Sequence, residues 1–352
     1  MQQFVEAVAC AKAAFPKNSF FAFNVCLDAI LHTSTSKILN LPFVKKNTRL
    51  SLDIRSGIQR EVKIGKRELL CLQNAFPNPT LKIGGQAGQA AELASSLGTR
   101  CNIICACSSK HLFSFFSNPK LIYALCGKSA VRADKLKNQL QRFPIHYILE
   151  YCVRPDVRNR IIFSYDPCPI ISSKSLHTGA QHFSHLFVGG FHLMSSAHEA
   201  MEACNFLKSL KAKNKKLKIF IELGDFQKKT VMEVIKKYAF PFAYCVGLND
   251  EELFQLTYTH GIGAINKLPK SVVKILYHTP FTSFTFPKEQ GDDLALLFAR
   301  IVCSYKAKYG KNPTWTALFK YAQKATSLKI SHPAITVGLG DTFSCAYFLA
   351  SA

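Results

Sequence analysis

Apolar and polar positions along the chain fall into two alternating textures. Short apolar runs of strand length, "SFFAFNVCLDAIL", "LFVGGFHLM", "KIFIEL", "FAYCVGL", "VKILYHT" and "AITVG", are bounded by charged or turn residues. Between the later runs the pattern predicts helices over 196–211, 228–238 and 251–260. Strand and helix alternating in this way predict an α/β fold with a mainly parallel central sheet. Two stretches, 33–64 and 143–172, break the rhythm, and "SLDIRSG", "REVKIG", "IHYILEYCV" and "RIIFSYD" read as β-rich pieces with turns. Separated pieces of this kind can pair as a small domain inserted into a larger one. The expected division is a large α/β domain over 1–32, 65–142 and 173–352, with a small β-rich domain over 33–64 and 143–172.

Composition narrows this picture. With 352 residues, 48% of them hydrophobic, the chain can bury a large core. No apolar run approaches the ~18 residues of a membrane helix. The first segment, "MQQFVEAVACAKAAF", carries Glu6 within its apolar part and reads as an amphipathic helix rather than a leader. A cytosolic setting without a membrane partner is the expectation. Thirteen cysteines, an odd number, lie mostly in apolar runs and read as buried free thiols. Cys101, Cys105, Cys107 and His111 lack any C-x-x-C spacing, so a buried strand is expected there rather than zinc. The net charge of +23, from 45 bases against 22 acids, suits anionic ligands. No nucleic-acid-binding motif accompanies it, so no specific nucleic-acid partner is expected. The lysine-dense "KSLKAKNKKLK" reads as a solvated face.

Acids are scarce, which makes their positions informative. In "AFNVCLDAI" strand alternation puts Asn24, Cys26 and Asp28 on one face, where Asp28 either meets a polyol or caps a loop. In "LKIGGQAGQAAELA", Gly84, Gly85, Gln86 and Gly88 precede a helix expected near Gln89; this is either plain turn chemistry or a place where a ligand meets backbone N–H groups. Glu222 ends the strand "KIFIEL", and carboxyl ends of strands are where open α/β sheets bind ligands. In "GLNDEEL", Asn249 and Glu252 fit a helix capping box, and Glu222 with Glu252 could equally hold magnesium through its waters. In "AITVGLGDTF", a strand, a tight Gly338-Leu339-Gly340 turn and a helix starting at Asp341 would offer free N–H groups to a transferring phosphoryl group. Asp341 there could take a proton from an attacking hydroxyl.

Taken in order, "AFNVCLDAI", "QREVKIG", "IGGQAGQAAELA", "IHYILEY", "RNRIIFSYDP", "FIEL", "NDEE" and "GLGD" resemble the motifs of the ADP-dependent glucokinase and phosphofructokinase family, within the ribokinase-like superfamily. The resemblance runs from about residue 22 to residue 344. It implies transfer of the β-phosphoryl group of ADP to a sugar hydroxyl, giving AMP, with Mg2+ or another divalent cation as cofactor. On this reading Asp341 is the base, and Gly338 and Gly340 stabilise the moving phosphoryl group. Glu222 and Glu252 position the metal, with Asn249 supporting. Asn24, Asp28, Glu61, Gly85, Gln86 and His146 hold the sugar, and Arg160 is also ligand-facing. The inserted β segments become a lid that excludes water. Glu61 favours glucose, whereas Arg160, with Arg154 and Arg158, would grip a 6-phosphate. A glucose-accepting enzyme that also uses fructose 6-phosphate is the expectation, with a catalytically silent sugar- or nucleotide-binding homologue as the alternative. The chain departs from the family pattern at Cys26, where asparagine is usual, and at Phe220, where the family has the histidine of His-x-Glu.

Overall fold

The computed structural model describes residues 2–126, 129–137, 143–154, 157–169, 183–331 and 333–351, leaving aside the side chains of Cys126, Arg154, Val157 and Arg158. The expected roles of Arg154 and Arg158 therefore lie outside the described side chains.

The chain begins with α1 (Gln2–Ala14), β1 (Asn18–Phe23) and β2 (Cys26–His32). Three short helices follow: α2 (Thr35–Leu39), α3 (Pro42–Lys45) and α4 (Thr48–Ser56). Then come β3 (Arg60–Lys63), α5 (Lys66–Ala75), β4 (Thr80–Gly84), α6 (Gln86–Ser96) and β5 (Arg100–Cys105). After α7 (Lys110–Phe113) lie β6 (Ile122–Cys126), β7 (Ser129–Arg132), β8 (Ile145–Arg154) and β9 (Val157–Tyr165). Strand and helix then alternate through β10 (His185–Gly189), α8 (Ala197–Lys213), β11 (Lys218–Glu222), α9 (Lys229–Tyr238), β12 (Cys245–Leu248), α10 (Asp250–Thr257) and β13 (Ile275–His278). β14 (Ser283–Phe286) precedes α11 (Asp292–Tyr309), α12 (Trp315–Lys324) and α13 (Leu339–Ala350).

The strands make two sheets. The larger has the order β14-β13-β12-β11-β10-β1-β5-β6-β7, parallel from β13 to β6 with antiparallel edges. Its inner strands are covered on both faces, as their unbroken apolar runs require. Phe21, Phe187 and Phe220 pack toward α1, α6, α11, α12 and α13, while Phe20, Val188, Ile219 and Ile221 pack toward α8 and α9 on the opposite face. Helix α8 carries the lysine-dense run, and Lys208, Lys213, Lys215 and Lys216 are solvent-exposed at its end.

The smaller sheet has the order β3-β9-β8-β2-β4. One face is covered: Tyr147, Leu149, Tyr151, Ile161 and Phe163 pack against Ile38, Leu41, Val44, Leu50 and Leu72 of the small helices. Strand alternation sends the intervening residues to the other face. The α/β class and the large mainly parallel sheet are as expected; the second sheet takes β3, β8 and β9 from the expected segments but also β2 (Cys26–His32) and β4 (Thr80–Gly84), which the expected division gave to the large domain.

Three local expectations are corrected. "SFFAFNVCLDAIL" is two strands, not one: β1 enters the large sheet, and β2 crosses into the small one after Asn24 and Val25. The stretch 33–64 is helical apart from β3. "SLDIRSG" alternates like a strand, but Asn47 caps α4 by accepting the Leu50 N–H, Gly57 closes it at φ 72°, and Leu50 and Ile54 share its buried side. Capping and i, i+4 burial outweigh the short alternation. Finally, "AITV" is not a strand but an extended lead-in and turn before α13. The segment joins neither sheet and bonds outward: Ala334 N donates to Ala307 O, and Thr336 Oγ1 donates to Glu150 of the small sheet at 2.7 Å.

Candidate active site

The segments just past the carboxyl ends of β1, β10 and β11 meet the uncovered face of the small sheet and the start of α13 around a cleft of about 190 Å³. β1 sits where the strand order reverses, between β10 and β5, which is where open α/β sheets place their ligands. Asn24, Asp28, Glu61, Gly85, Gln86, His146, Arg160, Gly338 and Asp341 all line this cleft. Glu222, Glu252, Asn249 and Gly340 do not line it.

The small-sheet wall follows from register. Asp28 of β2 pairs with His146 of β8, and Glu61 of β3 with Ile162 of β9, so Asp28, His146, Glu61 and Arg160 share the uncovered face. Gly84 lies opposite Cys26 on β4, and a Cβ there would overlap the Asp28 carboxylate. Burial penalises an ionised Asp28 and raises its pKa, partly offset by the charge of His146. Burial also works against a charged His146, but the charge of Asp166, 3.1 Å from Nε2, and that of Glu61 raise it to about 9. Glu61 is held at about 2 despite its burial, because it accepts hydrogen bonds from His192 and from Ser164. The His192–Glu61 contact, 3.5 Å, joins the large-sheet side of the cleft to the small-sheet side.

The other wall is built from backbone turns. Gly85, at φ 76°, starts α6 tight against Asn24, whose carbonyl accepts the N–H groups of Ala87 and Gly88. Helix α6 thus begins at Gln86, three residues earlier than expected. Gln86 spends its amide on the backbone: Oε1 accepts from Gly190 N at 2.6 Å and Nε2 donates to Leu223 O. It ties the ends of β10 and β11 together.

Helix α13 starts at Leu339, with Gly338 as its cap at φ 67° and Asp341 in its first turn. Asp341 is thus inside the helix rather than at its first residue. Its carboxyl is pushed up to about 7, chiefly by burial and by repulsion from Glu222, against the pull of Lys306 and Arg160. Lys306 is buried under this turn and donates to Gln89 Oε1 at 2.9 Å and to Thr342 Oγ1 at 2.7 Å.

Behind Asp341 lie Glu222 and Glu252. Asn249 accepts the N–H groups of Glu251 and Glu252, and Glu252 Oε2 accepts the Asn249 N–H at 2.9 Å, so the capping box is real. Burial and the neighbouring Glu222 still push Glu252 up to about 8. Glu222 Oε1 lies 3.3 Å from His278 Nε2, while its Oε2 is buried without a partner among the described residues. Glu222 and Glu252 thus set two buried carboxylates near one another, with His278 beside Glu222, an oxygen-rich set of the kind that hard divalent cations take. The Glu222 side chain lies over Gly247 on β12, where a Cβ would stand 2.2 Å from Oε2. Phe220, two residues before Glu222 and on the same face of β11, packs into the core beside it. It stacks on Phe187 at 5.3 Å and meets Phe348 of α13 at 5.2 Å.

Sequence reading missed His192, Gln89, Asp225, Lys306 and His278. The first three line the cleft. His192 follows a strand in "GGFHLM", a detectable signal; Lys306 sits in a helix that also carries Asp292, Asp293, Arg300 and Lys308, and only its neighbours reveal its role.

Comparison with known proteins defines the class and then the family. The fold is ribokinase-like. Over 99% of this chain and 97% of the other, it superposes with a TM-score of 0.82 at 18% identity on an ADP-dependent kinase solved with fructose-6-phosphate and ADPβS. A phosphofructokinase from Pyrococcus horikoshii OT3 with AMP gives 0.68 at 16% identity, over 96% and 98%. Adenosine kinase from Sinorhizobium meliloti gives 0.54 at 14%, over 93% and 92%. Such identities speak for the fold. No curated protein matches the chain significantly in sequence. Residues 48–279 match the model of the ADP-specific phosphofructokinase/glucokinase conserved region, and the chain belongs to that family. Among the described residues no helix is long and apolar enough to cross a membrane.

Proposed function

We propose that the protein is an ADP-dependent sugar kinase that moves the β-phosphoryl group of ADP onto a hydroxyl of glucose or fructose 6-phosphate. The observation that carries this reading is the position of Asp341. An acid with a pKa near 7, in the first turn of a helix, faces the cleft that Asn24, Asp28, Glu61 and His146 line from the small sheet.

In this reading Asp28, Asn24, Glu61 and His146 orient the sugar by hydrogen bonds, with Gly85 and Gln86 bounding its pocket. Ionised Asp341 accepts the proton of the attacking hydroxyl, whose oxygen forms the new bond to the β-phosphorus. The bond to the bridging oxygen of the α-phosphate breaks, and AMP leaves. Free N–H groups at the start of α13, around Gly338 and Gly340, face the charge spreading over the phosphoryl oxygens. Lys306 holds that turn in place from below. Glu222 and Glu252 would hold Mg2+, directly or through its waters, with Asn249 fixing Glu252; when bound, the ion supplies countercharge to the diphosphate. The small sheet and its helices act as the lid, and Arg160 is placed to favour a 6-phosphate.

The test is AMP release from ADP, with glucose and with fructose 6-phosphate, and with ATP in parallel. AMP formed with either sugar supports the reading. No turnover with either, alongside calorimetric binding of sugar or ADP, would instead make the protein a silent binder.

A further inference from the structure

Three side chains of different donor chemistry meet on the small-sheet wall. Cys26 and Asp28 project from the same face of β2, and His146 stands beside Asp28 as its register partner on β8. Cys26 Sγ lies 3.4 Å from Asp28 Oδ1 and 3.5 Å from His146 Nδ1. The three donor atoms all lie within 4.8 Å of one another, and all three residues are buried.

These spacings match a coordination sphere. Tetrahedral zinc keeps a thiolate at about 2.3 Å and imidazole nitrogen or carboxylate oxygen at about 2.0–2.1 Å. The sulfur-to-nitrogen or sulfur-to-oxygen edge of that tetrahedron is then about 3.5 Å. Both sulfur distances already have that length. A second observation points the same way. The other ring nitrogen of His146 faces Asp166 Oδ1 at 3.1 Å, the carboxylate–histidine arrangement that orients a metal-ligating imidazole. Asp166 Oδ2 is itself buried with no partner among the described residues. Charge also balances, since one thiolate and one carboxylate neutralise a dication inside a buried wall.

We propose that Cys26, Asp28 and His146 form a binding site for a thiophilic divalent cation of the zinc class, with its remaining position toward the cleft. Hard cations such as Mg2+ prefer oxygen-only donors and do not match this set. Binding releases two protons to solvent, that of the Cys26 thiol and the one that His146, raised to about 9, carries on Nδ1, as the metal–sulfur and metal–nitrogen bonds form. The site rests on these donors alone and stands whether or not the cleft takes a sugar. A bound ion would occupy Asp28 and His146, so zinc and any cleft ligand that uses them exclude each other.

The experiment titrates the purified full chain with Zn2+ against a chromophoric chelator and records the Co2+ spectrum. Cys26→Ser, His146→Gln and Asp166→Asn are measured beside the wild type. One tight equivalent is expected, weakened by more than about 100-fold in Cys26→Ser and by about 10–100-fold in Asp166→Asn. A thiolate-to-cobalt charge-transfer band should vanish in Cys26→Ser. Equal affinity and an unchanged cobalt band in Cys26→Ser would place the metal on other cysteines and overturn the proposal, as would absence of binding to the wild type. Should Cys26→Ser not fold, the His146→Gln cobalt spectrum decides, and a retained wild-type spectrum overturns the site.

Discussion

Replacing Asp341 by asparagine should remove activity and at the same time stabilise the fold at alkaline pH. Burial and Glu222 raise the Asp341 carboxyl from 3.8 to about 7. The native state therefore holds this proton more tightly than the unfolded chain does. Below pH 3.8 the acid is neutral in both states and carries no penalty. As pH rises toward 7 the unfolded acid ionises freely while the folded one resists, so stability is lost across that window. A shift of about 3 units at ~1.4 kcal/mol each gives roughly 4 kcal/mol. Because Asp341 is only partly buried and faces a cleft that admits water, about 2–4 kcal/mol is the working figure. Asp341→Asn carries no such penalty. Its urea midpoint should exceed that of the wild type at pH 8, and the gap should close toward pH 4. AMP release by the wild type should rise about tenfold between pH 6 and 8, since the ionised fraction of a group near 7 goes from ~0.1 to ~0.9. Asp341→Asn should fall by about 10²–10⁴-fold. A variant no more stable than the wild type at pH 8, or one that keeps the wild-type rate, would refute the assignment.

Three further outcomes can be checked directly. Arg160→Ala should raise the KM for fructose 6-phosphate by about tenfold or more while leaving that for glucose within about twofold, because only the former offers a phosphate to a guanidinium; equal effects on both sugars would remove Arg160 from phosphate recognition. Gly338→Ala should destabilise by about 1–3 kcal/mol and lower kcat, since φ is 67° and the new Cβ would stand 2.7 Å from the Gln89 side chain beneath Asp341; an unchanged denaturation midpoint would contradict this. Phe220→Ala, in a fully buried ring stack with Phe187 and Phe348, should cost about 3–5 kcal/mol in urea unfolding, with KM for sugar largely kept.

What the sequence determined by itself was the order of the large sheet's strands and helices, because continuous apolar runs and capped helices are local signals. Helices α8, α9 and α10 lie within a few residues of their expected ends. Of the acids that line the cleft, Asp28, Glu61 and Asp341 were also legible, since few carboxylates compete for attention in so basic a chain, whereas Asp225 was not. The tertiary structure decided the rest. "SFFAFNVCLDAIL" reads as one strand until the turn at Asn24 sends its halves to different sheets, a choice set by partners far away in sequence. "AITV" has strand propensity, yet the segment joins neither sheet and bonds to α11 and to Glu150 instead. His192, Lys306 and His278 acquire meaning only from groups distant in the chain: Glu61, Gln89 and Glu222. Cys26, on the sequence a mere departure from a family asparagine, stands beside His146 only because β2 and β8 pair. Local pattern chooses elements, whereas burial and long-range pairing choose which polar groups share a low-dielectric space, and that sharing sets their chemistry.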